Sequence, residues 1–187
     1  MTAKSHLADD LSDAQRANTF RASPGTFVKA VLLVTAIAGT LDIVAAHLHT
    51  WARTGNFPTM MLKGIAGGAL GGQRAMQGGV GTMALGLFFH FFISFAFTLL
   101  FFLLFPRIAV LRKNRYVVGT AYALFTWAVM NYVVLPLSAL PWRPPSFASK
   151  HLYIGWVIFT LIFGLPIAFG ASRFYRQQQA RHRKSSL

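Results

Sequence analysis

Cysteine and glutamate are absent from this chain, and carboxylates of any kind are rare. Its 187 residues contain no cysteine and only four acidic residues, all of them aspartate. The lack of thiols excludes disulfides, thiolate metal sites, iron–sulfur clusters and a cysteine nucleophile. The scarcity of carboxylates leaves few groups for acid–base catalysis. We therefore predict that the chain is not an enzyme and that it holds no metal ion and no cofactor.

Charged residues are also scarce for a protein of this size. They make up 12% of the chain and hydrophobic residues 55%, which is too apolar for an ordinary soluble domain. The 18 Lys and Arg residues give a net charge of +14, which in a soluble protein would suggest nucleic-acid binding. Cations that flank membrane spans instead meet anionic lipid headgroups. We therefore expect the lipid bilayer, and not nucleic acid, as the partner.

Four long apolar runs predict the architecture, because a helix crosses the hydrocarbon core with about 20 apolar residues. The sequence therefore predicts an all-α membrane protein. It is expected to form a four-transmembrane-helix bundle over 28–173, with a polar tail over 1–27 and a basic tail over 174–187. Pro136 and Pro166 predict kinks in the last two helices. The predicted crossings, called the first to the fourth span, are 28–49, 81–105, 116–140 and 152–172.

The distribution of cations predicts the orientation of these spans. Lys and Arg near span ends are retained on the cytoplasmic side of the membrane. Thirteen of the 18 cations lie at the two tails or in the connection between the second and third spans. We therefore expect both termini in the cytoplasm, with anionic lipid headgroups at the tails.

A glycine-rich segment separates the first two spans. Residues 55–81 contain nine glycines, of which Gly64, Gly68 and Gly72 form a small-xxx-small row that suits close helix packing. Pro58 suits the first turn of a helix. We predict a short Gly-rich helix here, either interfacial or re-entrant. A phosphate-binding loop is disfavoured, because no strand precedes the glycines and the Gly-Lys-Ser/Thr ending is missing.

Asp42 is the one acidic residue inside a predicted span. A carboxylate there costs about 2.5 to 3.5 kcal/mol on insertion scales, so Asp42 should face the bundle interior or water. Asp42, His90, Asn131 and Thr160 lie about eight or nine residues inward from the outer ends of their spans, a depth of about 12 Å. We predict that they form a polar layer inside the membrane. The alternative is a hydrogen-bonded clasp that only fixes helix register.

Small and polar residues recur at every fourth position of the second span. They form one helical stripe, whereas phenylalanine dominates the other faces. The stripe is the expected helix contact, with Gly86 as a packing residue and His90 pointing inward. Its members are Thr82, Gly86, His90, Ser94 and Thr98.

A further polar group, the outer cluster, is predicted at the outer surface and comprises His47, His49, Arg53 and His151. His49 and Arg53 follow Asp42 at spacings that return near the same helix face. Such histidines can titrate near neutral pH or bind a metal ion. Solvated histidines are more common at interfaces, and we expect no metal here. Haem ligation is disfavoured, because it needs paired deep histidines and only His90 is deep.

Four segments and their order along the chain indicate a family resemblance. They are the stretch through Gln77-Gly78-Gly79, the helix with Leu87-Phe88-Phe89-His90, the pair Met130-Asn131, and Val134-Leu135-Pro136-Leu137-Ser138 before a Pro-rich loop. In this order the chain, over about residues 30–173, resembles the YagU-like group of small, uncharacterised bacterial inner-membrane proteins. The resemblance implies a multi-pass protein of the bacterial inner (plasma) membrane, and it implies no substrate.

Two functions fit these patterns. The first is a small channel or proton-linked transporter subunit, in which Asp42 and His90 relay protons. The alternative is a structural or assembly protein that binds a partner subunit or lipid without transport. Four helices leave little room for a transport site in one copy, so we expect a homo-oligomer or a complex with a partner membrane protein.

Overall fold

A computed structural model gives the architecture and describes residues 23–55, 59–141 and 143–185. Within these ranges the regular elements are all helical. The α-helices are α1 (Pro24–Thr54), α2 (Thr59–Leu70), α3 (Gly72–Gln77), α4 (Val80–Leu104), α5 (Arg115–Val129), α6 (Leu135–Leu137), α7 (Lys150–Phe159) and α8 (Leu165–Ser185). A 3₁₀ turn, Ala109–Arg112, precedes α5, and two π turns, Met130–Val134 and Thr160–Gly164, join α5 to α6 and α7 to α8.

Four stretches of the described chain are long and apolar enough to cross a membrane. They are Pro24–Ala52, Val80–Leu104, Arg115–Leu137 and Lys150–Arg181, with mean hydropathies of 2.0, 2.4, 1.5 and 2.1. They follow the order of the four predicted spans and confirm an all-α, four-helix membrane bundle. Because the chain crosses four times, the start of the first span and the end of the fourth lie at the same end of the bundle. We call this end the termini side and the opposite end the loop side.

Capping residues set several helix ends. α1 begins after Ser23, whose hydroxyl accepts a hydrogen bond from the backbone N–H of Thr26 at 3.4 Å. α5 begins after Asn114, whose side-chain oxygen accepts from two backbone N–H groups of the first turn. Gly55 ends α1 in the left-handed region, at φ 67°, where a glycine is favoured. The first span thus starts before residue 28, and residues 1–22 of the predicted polar tail lie outside the described residues.

The fourth span continues well beyond its predicted end. α8 runs to Ser185 and takes in most of the segment 174–187, which the composition predicts as a tail. Phe174 and Tyr175 are buried against the bundle, and the Tyr175 hydroxyl donates to the carbonyl of Phe102 at 2.7 Å. The apolar run ends where the composition becomes basic. The helix continues, because Gln, Arg and Lys have high helix propensity.

The termini-side half of the bundle is a closely packed aromatic core. Phe101 and Phe102 of the second span and Ile167 of the fourth are fully buried. Tyr122 of the third span meets Phe101 edge to face, with ring centroids 4.7 Å apart, and donates its hydroxyl to the carbonyl of Phe97 at 2.6 Å. Such packing and hydrogen bonds hold helices together in lipid, where the hydrophobic effect between helices is weak.

Glycines bring helices into close contact at two further places. A Cβ on Gly164 of the fourth span would overlap the carbonyl of Gly119 on the third. A Cβ on Gly170 would overlap the side chain of Val34 on the first span. The first span packs on the second and the fourth, and the third span packs on the fourth. Since the second span also contacts the fourth, the fourth span packs against all three of the others.

The glycine-rich segment folds into α2 and α3, which confirms a short Gly-rich helix between the first two spans. α2 packs along the loop-side part of the second span. Gly86 faces the backbone of Leu62 at this crossing, and a Cβ on Gly86 would overlap the Leu62 carbonyl. Near the end of α2, the Ala139 N–H donates to the carbonyl of Gly68 at 2.8 Å. The segment is thus joined to both the second and the third span.

The two π turns accompany the two prolines of the spans. In each turn, the residue that precedes the proline donates its N–H to the carbonyl five residues back. Pro136 and Pro166 follow directly; a proline has no N–H and clashes with the carbonyl four residues back in a regular helix. A wider turn relieves this clash, so the sites where the sequence predicts kinks carry π turns.

Candidate functional site

Asp42 and His90 lie together in the loop-side half of the bundle. Both are partly buried, Asp42 on the first span and His90 on the second. His90 is near enough to the Asp42 carboxylate for a direct electrostatic interaction. It donates from Nε2 to the carbonyl of Gly39, one turn before Asp42, at 2.8 Å. Because Nε2 carries this proton, the neutral ring keeps its lone pair on Nδ1.

Gly39 makes this pairing possible. A Cβ on Gly39 would lie 2.9 Å from the ring of Phe91 and 3.4 Å from the hydroxyl oxygen of Ser94. Without a side chain at Gly39, the second span comes near enough for its imidazole to reach the backbone of the first. Ser94 and Thr98 are buried on the same face of the second span as His90. This stripe therefore faces other helices of the bundle.

An open cavity of about 280 Å³, the Asp42 cavity, lies between the first, third and fourth spans in the loop-side half. Asp42 lines it together with Ala46 and His49 from the same helix, and with His151 from the start of the fourth span. His49 and His151 lie nearer to the loop-side ends of their spans than Asp42 does. The cavity therefore extends from the carboxylate toward that end of the bundle.

Two tryptophans form an aromatic wall of the Asp42 cavity. Trp127 and Trp156 both line it and meet edge to face, with ring centroids 4.9 Å apart. The Nε1 of Trp156 is buried and finds no hydrogen-bond acceptor among the described residues. A buried donor without an acceptor costs about 1 to 3 kcal/mol.

Asn131 and Thr160, the other members of the predicted polar layer, lie in the two π turns. Asn131 donates from Nδ2 to the carbonyl of Trp127, in its own helix, at 2.9 Å. Thr160 is the first residue of its π turn. The hydrogen bond that His90 donates to the carbonyl of Gly39 joins this layer to the first span. The bond of Asn131 to Trp127 lies where α-helical bonding changes to π.

The predicted outer cluster is divided in the structure. His49 and His151 line the Asp42 cavity. His47 turns toward its own helix and donates from Nδ1 to the carbonyl of Ile43 at 2.7 Å. The side chain of Arg53 lies outside the described residues. In the part of the chain that the structure describes, no group of three His, Asp or Glu residues is placed to hold a metal ion.

The predicted glycine row borders a second and larger space. Gly64 and Gly68 line an apolar cavity of about 620 Å³, the α2 cavity, between α2 and the second and third spans. A Cβ on Gly64 would meet only the end of the Met76 side chain, at 4.0 Å, and a Cβ on Gly72 would have its nearest neighbour at 3.6 Å. At Gly64 and Gly72 no neighbouring backbone fills the place of a side chain, whereas at Gly86 the backbone of Leu62 does.

Trp127 and Trp156 are site residues that sequence reasoning missed. A signal for both exists in the spacing of the polar layer. Trp127 precedes Asn131 by four residues and Trp156 precedes Thr160 by four, so each tryptophan shares a helix face with a predicted layer residue. The repeat of this spacing in the third and fourth spans is the pattern that would have pointed to an aromatic wall.

Comparison of the chain with protein-family models, with curated proteins and with solved structures gives no match. The resemblance to the YagU-like group therefore stays a prediction. What the chain does has to follow from its own residues and their geometry.

Proposed function

We propose that the chain is a subunit of a proton-linked transporter with Asp42 as its proton-binding group. The observation that carries the proposal is that Asp42 lines an open cavity, while His90 bonds to the carbonyl of Gly39, one turn before it. A carboxylate within a span is costly unless it is protonated, paired with a cation or hydrated. Asp42 can be stabilised in each of these ways, by a proton, by a charged His90 or by the contents of the cavity.

This arrangement supports the exchange of a proton for a solute. When His90 is neutral, Asp42 is stabilised either by a proton or by a cation in the cavity, because one carboxylate has one negative charge to neutralise. Binding of a cation therefore favours proton release, and protonation favours release of the cation. The two effects are equal in size, because coupling between two ligands is reciprocal.

The cavity lining favours a small solute with a positive charge. Asp42 is the one carboxylate among the described residues, and it forms part of this wall. The faces of Trp127 and Trp156 attract cations through their π electrons. A volume of about 280 Å³ suits a small organic cation better than a large one.

Proton movement in proteoliposomes tests this function. The protein is reconstituted with a pH-sensitive dye inside the vesicles, and a gradient of tetramethylammonium is applied. The wild type should move protons against the flow of the cation, and Asp42→Asn should abolish this exchange. His90→Gln should slow it about 100-fold, because a positioned proton-transfer group contributes a factor of this order.

His47→Gln is the matched control for His90→Gln. It makes the same chemical change on the first span, at a residue bonded to its own helix and outside the lining of the cavity. This variant should keep wild-type exchange. Equal exchange by the wild type and Asp42→Asn, or no exchange above protein-free vesicles with any small cation, would contradict the proposal.

A second candidate, an assembly protein, is favoured by the α2 cavity. Gly64 and Gly68 present backbone on its apolar wall, and a partner helix with small residues can pack on such a surface. Gly68→Leu should then abolish co-purification of a partner membrane protein. Gly81→Leu is the control, since a Cβ on Gly81 meets nothing within 4 Å. Partners retained by Gly68→Leu would contradict this role.

The location and assembly of the transporter belong to the same proposal. We place the chain in the bacterial inner membrane with both termini in the cytoplasm, on the support of the cation distribution. The resemblance to the YagU-like group supports the same membrane. One copy of four spans offers little room for alternating access, so the active form is proposed to be a homo-oligomer or a complex with a partner membrane protein.

A further inference from the structure

A basic pocket lies at the termini side, far along the spans from Asp42. Its volume is about 370 Å³, and it lies between the connection that leads into α5 and the middle of α8. Arg112, Lys113 and Arg115 line it from the connection, and Arg176 lines it from α8. Four cations thus border one pocket.

An apolar groove adjoins the basic pocket. It has a volume of about 390 Å³ and lies between the first and fourth spans, with Val34 and Phe169 among its walls. Arg115, Arg173 and Arg176 line the same groove. Because Arg115 and Arg176 line the pocket as well, the two spaces share a boundary made of guanidinium groups.

Contacts within the protein orient the guanidinium groups of two of these arginines. The guanidinium carbon of Arg115 lies 4.3 Å from the centre of the Phe169 ring and 5.7 Å from that of Tyr116. Such contacts fix the plane of the group and leave the N–H donors at its edge for a ligand. Arg176 donates from Nε to the carbonyl of Ser172 at 3.3 Å. The donors of this boundary are therefore partly preorganised.

The positive charge of this boundary favours an anionic ligand. Asp42 is the one acidic residue in the described ranges, and it lies in the loop-side half. Phosphate oxygens match the fork of a guanidinium group, which makes arginine well suited to phosphate recognition. The adjoining groove is lined by apolar side chains and suits a hydrocarbon chain. One ligand that carries both parts is an anionic phospholipid.

We propose that Arg115, Arg173 and Arg176 form a binding site for one anionic phospholipid of the bilayer. Its phosphate occupies the basic pocket, and an acyl chain lies in the groove beside Val34 and Phe169. Basic pockets between spans bind such headgroups by the same combination of charge and shape. The site does not depend on transport through Asp42.

Native mass spectrometry of the delipidated full chain in detergent tests this site. The protein is titrated separately with phosphatidylglycerol, phosphatidylcholine and inorganic phosphate. R115Q/R173Q/R176Q should bind phosphatidylglycerol on the order of 100-fold more weakly than the wild type. Phosphatidylcholine and inorganic phosphate should bind weakly to both proteins.

The charge-matched control is R181Q/R183Q/K184Q, which removes three cations from α8 beyond the pocket. It should weaken the binding of phosphatidylglycerol far less than R115Q/R173Q/R176Q does. An equal loss in both triple variants would overturn the proposal, because it would show attraction to the charge of the whole helix. Binding of phosphatidylcholine or inorganic phosphate as tight as that of phosphatidylglycerol would overturn it too.

A second variant tests the groove without a change of charge. Ile37 lines the groove and is 48% exposed, so Ile37→Trp can narrow the groove with little effect on the core. It should weaken the binding of long-chain phosphatidylglycerol and leave that of a short-chain form unchanged. Equal binding of the long-chain lipid by Ile37→Trp and the wild type would overturn the acyl-chain assignment.

Discussion

The termini-side and loop-side halves of the bundle are packed in different ways. In the termini-side half, Phe101, Phe102 and Ile167 are fully buried. The loop-side half contains the Asp42 cavity of about 280 Å³ and the α2 cavity of about 620 Å³. Because helix association in lipid depends on close van der Waals contact, the termini-side half supplies most of the stability. The loop-side half keeps space around Asp42 and beside α2, whereas the termini-side spaces, of about 370 and 390 Å³, border the arginines of the proposed lipid site.

The largest effect on stability should come from the aromatic core. Phe101→Ala removes a fully buried ring of the second span and should lower the free energy of unfolding by about 3 to 5 kcal/mol. Phe88→Ala makes the same change on the same span at a ring that is 60% exposed, and its cost should be far smaller. Unfolding in detergent, followed by circular dichroism, measures both. Equal losses would contradict the division into two halves.

Close helix contacts should give the next effect. Gly164→Ala places a methyl group against the carbonyl of Gly119 and should cost about 1 to 3 kcal/mol, as overpacked sites do. Gly155→Ala is the control in the loop-side part of the same span, where a Cβ meets nothing within 4 Å. It should be neutral or slightly stabilising, because alanine favours helix over glycine. The same unfolding measurement applies, and a harmless Gly164→Ala would contradict the close approach.

Hydroxyl-to-carbonyl bonds should give the smallest of the three effects. Tyr122→Phe removes a buried bond to Phe97 and should cost about 1 kcal/mol, the scale of side-chain hydrogen bonds in membrane proteins. Tyr153→Phe removes a bond to Phe147 at an exposed loop-side position, where water can replace the lost partner. Its cost should lie below that of Tyr122→Phe. A larger cost for Tyr153→Phe would reverse the comparison between the halves.

The crossings of the membrane were predictable because apolar length is a local property of the sequence. Each of the four spans contains most of a run that composition alone identifies. The length of α8 was not predictable in this way. Its continuation to Ser185 is stabilised by Phe174 and Tyr175, which pack on the second span some 70 residues earlier. A contact between residues so far apart in the sequence cannot be predicted from local composition.

The candidate site was predictable only in part. Counting depth from the span ends brings Asp42 and His90 to one level, and the structure brings them together. Depth does not specify the direction in which a side chain points. Asn131 shares the level but bonds to the carbonyl of Trp127 in its own helix. The cavity and its aromatic wall depend on where three helices separate, and this follows from packing that the sequence does not display.

The most direct test of the account is the accessibility of the Asp42 cavity to water. Because the chain has no native cysteine, a single introduced cysteine reports on its own position. Ala46→Cys lies in the cavity wall and should react with a small, water-soluble thiol reagent, and tetramethylammonium should protect it. Ala168→Cys replaces a residue that is 1% exposed in the termini-side half, and it should stay unreactive. Equal reactivity at the two positions would contradict a bundle that is open around Asp42 and closed at its aromatic core.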